Sequence, residues 1–234
     1  MKIKTKVFSG FLKKAKMSGK QGVEECALKF EKDGLKINAN SPPKLSRVMA
    51  WLKKDAFKEY EELGAVCIND MSNVIKVLER FDEFISIKKE GNLLTVSGDN
   101  KKVEIELIDE NFIEGDTGEP KIEFDDVFNI TSTQLAGIIS DVNLNKDSEL
   151  IITTEAKKVK FNNTGKYKFE NFIEANTCKG GVKVKMGEPF IESIANLDSN
   201  LELNVKTDFP IKVVEKTDIS VISIIVAPRI DDNK

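Results

Sequence analysis

The sequence predicts an α+β fold that is built twice, as two similar domains, each with antiparallel sheets and two helices on one face. Two observations lead to this prediction. Residues 109–126 form an acidic segment with Gly and Pro, which is typical of a solvated linker. The predicted elements also follow in the same order on both sides of that segment. We therefore expect domains at residues 1–108 and 127–234, joined by a connecting loop at 109–126.

The first half begins with a predicted strand at residues 2–8 and an amphipathic helix at 9–19, whose apolar side holds Phe11, Leu12 and Ala15. Asp33-Gly34 predicts the turn of a β-hairpin. The remaining predicted elements are a long strand at 46–57, a helix that begins near Asn69-Asp70, and strands at 84–89, 93–97 and 103–108.

The second half repeats this order. A predicted strand at residues 127–130 leads to a helix that begins at Ser132, a good N-cap residue. The remaining elements are strands at 149–154, 158–162 and 166–175, a helix at 188–197 with Pro189 in its first turn, and strands at 201–206, 211–215 and 220–226.

Charge is distributed unevenly along the chain. The first half has 21 Lys and Arg against 16 Asp and Glu, a balance of +5. The connecting loop has eight acids against Lys121, and the second half has 14 basic against 15 acidic residues. A local basic surface in the first half would be sufficient to meet the phosphates of a nucleic acid, whatever the net charge of −3.

Composition excludes several functional classes. The chain has no histidine, which excludes His-based catalysis and His metal sites, and it has no P-loop, Cys-x-x-Cys or dinucleotide fingerprint. Its three cysteines, which are far apart, favour a reducing compartment, and no apolar run is long enough to span a bilayer. We therefore expect a cytoplasmic protein that is not an enzyme and needs no cofactor or metal.

The C-terminal sequence carries the most specific motif. Asp208-Phe209-Pro210-Ile211, followed by Val226-Ala227-Pro228-Arg229-Ile230, resembles the end of the proliferating cell nuclear antigen family, the DNA sliding clamps of eukaryotes and archaea. Glu119-Pro120-Lys121-Ile122-Glu123-Phe124 is similar to the interdomain connector of the archaeal members. The resemblance extends over the whole chain at low identity, which suits a divergent archaeal or viral member.

The resemblance implies a duplicated DNA-clamp fold and a homotrimeric ring, or a heterotrimeric one, that encircles double-stranded DNA without sequence specificity. The helices would line the hole, and a clamp loader would open the ring. DNA polymerase and other enzymes with a peptide motif would dock outside it. Such a protein is nucleoid-associated in an archaeon and nuclear in a eukaryote, and it has no membrane partner.

Basic residues of the helices are the predicted DNA contacts. In the first half they lie in or beside both helices, and the second half offers only a residue near the end of its first helix. An alternative is that these lysines are only the solvated face of amphipathic helices. Because the helix at 188–197 has no basic residue, we expect either that the first domains supply most of the contact or that Lys183 and Lys185 contribute. The predicted set is Lys13, Lys14, Lys16, Lys20, Lys76, Arg80 and Lys146.

Two alternating strands are the predicted subunit interface, because the resemblance implies edge-to-edge pairing of the last strand of domain 1 with a domain 2 strand of the next subunit. Glu104 and Glu106 would then meet lysines across the junction. The alternative is an ordinary internal strand. The predicted interface residues are Val103, Ile105, Leu107, Lys166, Tyr167, Lys168 and Phe169.

A pocket for partner peptides is expected between the connecting loop and the C-terminal domain. Thr117 and Glu119 occupy connector positions that are usually apolar in the family, which predicts altered affinity or partner choice. The alternative is an acidic loop with no pocket. By resemblance the wall consists of Leu45, Ile122, Phe124, Pro210, Ile225, Ala227 and Pro228.

Two further functions stay open at the level of sequence. One is a clamp-fold protein that is not a homotrimer: a heterotrimer subunit, a checkpoint-type clamp or a monomeric viral processivity factor. The other is a duplicated β-rich structural or adhesion protein unrelated to DNA.

Overall fold

A computed structural model describes residues 1–98, 100–114, 118, 120–144 and 149–229 of the chain. In the described first half, two helices and nine strands alternate, with short 3₁₀ turns between some of them. Their bounds are β1 Lys2–Lys4, α1 Thr5–Lys16, β2 Cys26–Glu31, β3 Gly34–Asn40, β4 Ser46–Lys53, β5 Phe57–Glu59, β6 Gly64–Ile68, α2 Met71–Leu78, β7 Phe84–Glu90, β8 Leu93–Gly98 and β9 Lys101–Glu106.

The described second half has the same order of elements, with one strand fewer. Its bounds are β10 Asp126–Ile130, α3 Ser132–Asn143, β11 Leu150–Glu155, β12 Lys158–Asn163, β13 Glu170–Glu174, β14 Lys183–Met186, α4 Glu188–Ile194, β15 Leu201–Val205, β16 Ile211–Lys216 and β17 Ser220–Val226.

Strand order shows that the fold is duplicated. In the first half β1, β7, β8 and β9 are neighbours in one sheet, and β4, β3, β2 and β6 are neighbours in another. In the second half β10, β15, β16 and β17 repeat the first arrangement, and β13, β12, β11 and β14 repeat the second. All the pairings are antiparallel. The predicted α+β class and the duplication are therefore confirmed.

One sheet passes from the first half into the second. β17 pairs with β4 over seven residue pairs, from Ser220 opposite Leu52 to Val226 opposite Ser46, and this joins the two halves in an eight-stranded sheet. Val48, Ala50 and Leu52 face the core from β4, and Ile222, Ile224 and Val226 face it from β17. We call this paired region the domain seam.

Apolar periodicity explains the helices. Phe8, Phe11, Leu12 and Ala15 are buried on one side of α1 at the spacing of an amphipathic helix. α1 and α4 both pack on the core face of the domain seam, against β4 and β17, and α2 packs against α1. Among the described residues, no helix is long and apolar enough to cross a membrane.

Two helix starts differ from the sequence predictions, and a third feature agrees with them. α1 begins at Thr5, whose backbone N–H donates to Glu83 O at 3.0 Å, so the predicted strand at residues 2–8 is wrong beyond Lys4. Thr131, and not Ser132, caps α3, because its side chain and that of Gln134 form a reciprocal capping box. Pro189 lies in the first turn of α4, as predicted.

Two predicted strands also change. The long strand at 46–57 is interrupted by a 3₁₀ turn at Lys54–Ala56, and Phe57–Glu59 then joins β1 in a different sheet. The strand predicted at 166–175 begins only at Glu170. The side chain of Asn163 explains the shortening, because it donates to Tyr167 O at 2.8 Å and accepts from Phe169 N at 3.1 Å, in place of backbone pairing.

Candidate functional site

The helix layer on the core face of the domain seam carries the predicted DNA contacts, and most of them are already engaged in ion pairs. Lys13 pairs with Glu79, the residue that follows α2. Lys16 lies 2.9 Å from Glu24, and Lys20 lies 3.6 Å from Glu188 of α4. These pairs are at least partly exposed, so solvent and salt weaken them and phosphates can compete for the lysines.

Lys14 has a different environment from the other predicted contacts. Its side chain is 16% exposed, and its Nζ lies 2.8 Å from Oε2 of Glu215 and 2.6 Å from Oδ1 of Asp198. Burial lowers the pKa of Lys14, but the hydrogen bonds to Asp198 and Glu215 outweigh it and hold the pKa above its ordinary value of 10.5. The ammonium of this first-half helix therefore ties α1 to the second half.

Glu215 is the buried centre of that network. Its carboxylate is fully buried and also accepts hydrogen bonds from the backbone N–H groups of Asp198 and Ser199, both at 3.0 Å. Three donors satisfy the buried charge, as a buried carboxylate requires. The ammonium of Lys14 is thus paired inside the protein, whereas its contact with DNA stays a prediction.

Glu24 joins the two helices of the first half. Its carboxylate accepts from the N–H of Ser72 at 2.8 Å and from Ser72 Oγ at 2.7 Å at the start of α2, and it pairs with Lys16 of α1. Burial raises the pKa of Glu24, but the hydrogen bonds from Ser72 and Lys16 outweigh it and lower the pKa below 4.5.

Exposed basic side chains remain on the first-half helices. Lys76 and Arg80 are exposed at the end of α2. Lys6 is also exposed on α1, about two turns before Lys13, and it lies outside the helix that the sequence predicts from Ser9 onward. Phe8, which continues the apolar stripe by one turn, was the signal that could have extended the helix.

The second-half helices present a surface of another kind. The exposed residues of α3 include Thr133, Ala136, Gly137 and Ser140, which are uncharged. The charged residues of α4 are Glu188 and Glu192. Lys146, the predicted contact in this half, lies outside the described residues, as do Thr117 and Glu119.

α4 also lies directly against the first half. Ser18 Oγ donates to Glu192 O at 2.6 Å, and Lys20 N donates to Glu192 Oε2 at 3.0 Å. Gly19 has a φ of +55°, and a Cβ at this position would overlap the carboxylate of Glu192. The positive φ and the close approach of Glu192 both favour glycine here.

The predicted interface strands lie at sheet edges. Among the described strands, β9 and β13 are the last members of their sheets, with one neighbour each. Val103, Ile105 and Leu107 are partly buried against the core, and Glu104 and Glu106 are exposed on the other face.

Part of the second interface segment is not a strand in the structure. The four residues before β13 do not pair as a strand, because the side chain of Asn163 bonds to their backbone. They are Lys166, Tyr167, Lys168 and Phe169, and Tyr167 is 61% exposed. In β13 itself, Phe172 is 45% exposed, with Lys158 Nζ 3.6 Å from its ring centroid. This edge therefore presents apolar rings without a covering strand in the described chain.

Three of the seven residues predicted for the peptide pocket line one cavity, and the other four do not. Leu45, Ala227 and Pro228 line a cavity of about 1160 Å³ between α3, α4 and the turn at Gly19, and Ala227 N donates to Leu45 O at 2.8 Å. Its lining does not include the other four predicted residues, which are Ile122, Phe124, Pro210 and Ile225. Ile225 lies opposite Arg47 on the other face of the seam.

The beginning of the connecting loop is attached to the first half. Glu114 pairs with Lys44 at 2.8 Å, and Ile113 and Glu114 border a cavity of about 350 Å³ with Pro42 and Arg47. Hydrogen bonds from Lys44 and Asn40 lower the pKa of Glu114 below its ordinary value. The loop therefore leaves the first half along the loop before β4.

Comparison with known proteins gives one consistent result. No family model matches the chain. It is 29% identical over 141 residues to DNA polymerase sliding clamps of Nitrosopumilus maritimus (strain SCM1) and Cenarchaeum symbiosum (strain A). The match covers 58% of this chain and 56% and 54% of those proteins, so it spans only about half the length of the curated relatives.

Solved structures resemble the chain over nearly its whole length. The A. fulgidus PCNA, solved with the C-terminal region of FEN-1, has a TM-score of 0.85 at 16% identity and 99% and 98% coverage of the two chains. The Entamoeba histolytica Proliferating Cellular Nuclear Antigen has 0.83 at 17% identity, with 98% coverage of both. A PCNA2-PCNA3 complex from Sulfolobus tokodaii has 0.78 at 16% identity, with 98% and 99% coverage.

Both sets of matches are sliding clamps, although the sequence matches cover part of the chain and the structural matches cover nearly all of it. The structural similarity shows the fold, and the sequence similarity connects part of the chain to sliding clamps. Together they confirm the predicted resemblance of this chain to the proliferating cell nuclear antigen family.

Proposed function

We propose that the chain is a subunit of a DNA sliding clamp, a ring of three copies that encircles duplex DNA and holds DNA polymerase and other enzymes on it. The observation that carries this proposal is the domain seam. Inside one chain, the last strand of the second half pairs with the fourth strand of the first half. The equivalent strands β9 and β13 lie at the two outer edges.

The seam also gives a register for the proposed subunit contact. The hairpin turns β8–β9 and β16–β17 can be aligned with each other. The first closes with Gly98 opposite Lys101, and the second closes with Thr217 N donating to Ser220 O. Lys101 therefore corresponds to Ser220, and Glu106 to Ile225. The hairpins β3–β4 and β12–β13 are aligned in the same way: Gly34 lies opposite Lys53 in the first, and Lys158 lies opposite Glu174 in the second. Lys53 therefore corresponds to Glu174. Six residues earlier on each strand, Arg47 corresponds to Lys168.

Ile225 lies opposite Arg47 in the seam. Transferring this pairing puts Glu106 of one copy opposite Lys168 of the next, which is an ion pair across antiparallel strands. It also pairs Ile105 with Phe169 and Leu107 with Tyr167, which would cover the exposed ring of Tyr167. Docking would extend β13 over residues 167–169, as β4 extends over the equivalent residues 46–48.

Weak DNA contact suits such a ring. Lys6, Lys76 and Arg80 of the first half, with Lys13, Lys16 and Lys20 after exchange of their ion pairs, would face phosphates without sequence specificity. Topology would hold the ring on DNA, and a clamp loader would open it. The relatives named DNA polymerase sliding clamp and the PCNA solved with FEN-1 support polymerase and peptide-motif enzymes as partners.

Light scattering and retention on DNA test this function. We expect a trimer that, once a clamp loader has placed it on nicked circular DNA, stays there at moderate salt and leaves when the circle is cut. A monomer, or equal retention on linear and circular DNA, would exclude the ring. Assembly only with other chains would instead assign the protein to a heterotrimer.

Cysteine pairs test the register. Glu106→Cys with Lys168→Cys should give cross-linked trimers on a denaturing gel after mild oxidation, because paired Cα atoms lie within disulfide reach. Glu106→Cys with Glu170→Cys, displaced by two residues on the same strand face, is the matched control and should cross-link poorly. Cross-linking of the control alone would show that the transferred register is wrong.

A further inference from the structure

The outer face of the second-half sheet carries a row of basic and aromatic side chains. Phe172 of β13 lies opposite Lys160 of β12, and Lys160 lies opposite Thr153 of β11. Thr153 in turn lies opposite Lys183 of β14. None of these four side chains is buried, whereas the residues between them along the strands, such as Val159, face the core. The row therefore lies on the solvent side of the sheet.

The proposed ring would continue this row into the neighbouring copy. The register that pairs Glu106 with Lys168 also puts Lys102 of β9 opposite Phe172, four residues away on each strand. Within the neighbouring copy, serines of β8 and β7 connect Lys102 to Lys2 of β1. The complete row crosses eight strands, a length of about 34 Å at about 4.8 Å per strand. We call it the outer row, and its members are Lys2, Ser86, Ser97, Lys102, Phe172, Lys160, Thr153 and Lys183.

The composition of the outer row suits nucleic acid. Its members are four lysines, three residues with a hydroxyl group and one aromatic residue, and none of them is an acid. Lysine and hydroxyl side chains are common ligands of phosphate groups, and an aromatic ring can stack on any base. An acidic peptide would instead need apolar pockets for its anchoring side chains, which such a row does not supply. The row therefore favours a single strand of nucleic acid over a protein segment.

Phe172 is placed to stack on a base. Its side chain is 45% exposed, and Lys158 Nζ and Lys160 Nζ lie 3.6 and 5.8 Å from its ring centroid. Ammonium groups beside a partly exposed ring combine the two contacts that single-strand sites use, stacking for the base and charge for the backbone. A base on this ring would bring its phosphates within reach of both lysines.

Two lysines of the outer row already have acidic partners. Lys102 lies 2.6 Å from Glu104, and Lys160 pairs with Glu170. These pairs are at least partly exposed, so phosphates can compete for the lysines as they can on α1. We therefore expect weak, salt-sensitive binding.

The rows on either side of the outer row are balanced in charge. Among the described residues they have four lysines and four acids, and Glu59 of β5 adds one acid opposite Lys2 at the end of the outer row. The surface as a whole therefore has more lysines than acids, as a site for phosphates requires. The flanking charges are Lys4, Lys88, Lys158, Lys185, Glu104, Glu155, Glu170 and Glu174.

We propose that the outer row binds a single strand of nucleic acid without sequence specificity, with a base stacked on Phe172 and phosphates on Lys160 and Lys183. The proposal rests on the proposed function in one respect, because only the ring brings Lys102 beside Phe172. The strand lies outside the ring, on the face of the sheets away from the core. A duplex is too stiff to follow a twisted sheet, so the row does not take duplex DNA in its place.

The anisotropy of a fluorescein-labelled oligonucleotide of about 12 thymidines measures the binding, with a duplex of the same length for comparison. Lys160→Glu with Lys183→Glu should weaken single-strand binding about tenfold or more and leave duplex binding unchanged. The log–log slope against salt should fall by about 0.7 for each phosphate contact that is lost. Lys32→Glu with Lys54→Glu, exposed at the β2–β3 turn and after β4, is the matched control and should leave single-strand binding unchanged.

Three results would overturn the proposal. One is an unchanged single-strand affinity of the Lys160 and Lys183 double variant, once circular dichroism shows that it is folded. Another is a larger loss of this affinity on reversing the charges of Lys76 and Arg80, because the single strand would then lie against α2. The third is tighter binding of a peptide in which Glu alternates with Leu, which would assign the row to a protein partner.

Phe172→Leu tests the stacked base. It removes the ring but keeps an apolar side chain, and it should weaken single-strand binding at least about fivefold. Phe172→Trp should keep the affinity, and the oligonucleotide should quench the emission that this variant adds. Light scattering checks that both variants assemble like the unmodified protein. Full affinity of Phe172→Leu would contradict the base contact and with it the proposal.

The two proposals can fail separately. Lys160 and Lys183 belong to one chain, whereas Lys102 reaches Phe172 only in the ring. If the protein is a monomer that binds the oligonucleotide through Lys160 and Lys183, and Lys102→Glu has no effect, the ring fails while the single-strand site stands. If the ring stays on circular DNA and the Lys160 and Lys183 double variant binds the oligonucleotide normally, the single-strand site alone is wrong.

Discussion

The two halves of the chain share one topology but present opposite helix surfaces. α1 and α2 expose Lys6, Lys76 and Arg80, whereas α3 exposes uncharged residues and α4 exposes Glu188. The strands, by contrast, correspond closely: Val103, Ile105 and Leu107 occupy the core-facing positions that Ile222, Ile224 and Val226 occupy in the other half. Core packing must be kept for the fold, whereas charge on a solvated helix face can change freely.

The difference also separates structural from surface charge. Lys14 and Glu215 join the halves through a buried pair. Lys13, Lys16 and Lys20 form more exposed pairs, with Glu79 after α2, Glu24 before it and Glu188 of α4. Only lysines of the second kind can exchange an acid for a phosphate at low cost. DNA contact should therefore be weak, salt-sensitive and concentrated in the first half.

Breaking the Lys14–Glu215 pair should have the largest effect. Lys14→Met leaves the fully buried carboxylate of Glu215 without its ammonium, and we expect a loss of about 3–5 kcal/mol in the free energy of unfolding. Chemical denaturation measures this. Lys14→Met with Glu215→Gln should recover part of the loss, because the neutral amide oxygen can still accept from the N–H groups of Asp198 and Ser199. If Lys14→Met left stability unchanged and weakened only DNA binding, Lys14 would return to the DNA-facing set.

Reversing charge on α2 should have the next largest effect. Lys76→Glu with Arg80→Glu should reduce the dependence of DNA affinity on salt, with the log–log slope falling by about 0.9 for each phosphate that the protein no longer neutralises. Lys58→Glu with Lys88→Glu, at exposed positions of β5 and β7, is the matched control. Titrations with short duplex DNA measure the slopes. Equal slopes in both double variants would remove α2 from the DNA-facing surface.

Adding charge to α3 sharpens the comparison further. Ala136→Lys with Ser140→Lys should make the second half resemble the first and steepen the same slope by up to about 0.9 per residue. Thr95→Lys with Ser97→Lys, on the outer face of β8, is the matched control and should leave the slope unchanged. A steeper slope in the control only would mean that DNA contacts the outer face.

Glu24→Gln should have the smallest effect, and the effect should depend on pH. Because the folded protein lowers the pKa of Glu24, its contribution is present above the unfolded value near 4.5 and is lost as pH falls through the lower folded value. We expect the variant to be less stable by about 1 kcal/mol at neutral pH and the difference to vanish in acid. Thermal unfolding across this range measures it. A difference that persists in acid would contradict the role of the carboxylate.

Local patterns predicted much of the fold. The hairpin at Asp33-Gly34, the apolar stripes of the helices and the order of strands depend on near neighbours in sequence, and the structure has them. The pairing of β17 with β4 joins residues far apart in the chain, and no local pattern indicates its register. The resemblance of the C-terminal motif supplied the clamp architecture in which such a seam is expected.

The candidate site was less predictable than the fold. Lysines at Lys13, Lys14 and Lys16 look alike in sequence, yet only the tertiary structure puts the buried Glu215 beside one of them. Asn163 in the same way shortens β13 through a side-chain contact that no periodicity reveals. Trp51 lies opposite Val221 of the other half, a neighbour that no local pattern indicates, so the sequence could predict Trp51 only as packing.

In the proposed ring, the contact between the edge strands β9 and β13 has a consequence for assembly geometry. A contact between two different edges is head-to-tail, so every added copy leaves one new edge open. The assembly stops growing only if the rotation from one copy to the next closes a circle. A small change in that angle would give a helical filament instead of a ring. Substitutions at the domain seam, which sets the angle between the halves, can therefore change the shape of the polymer without touching either edge.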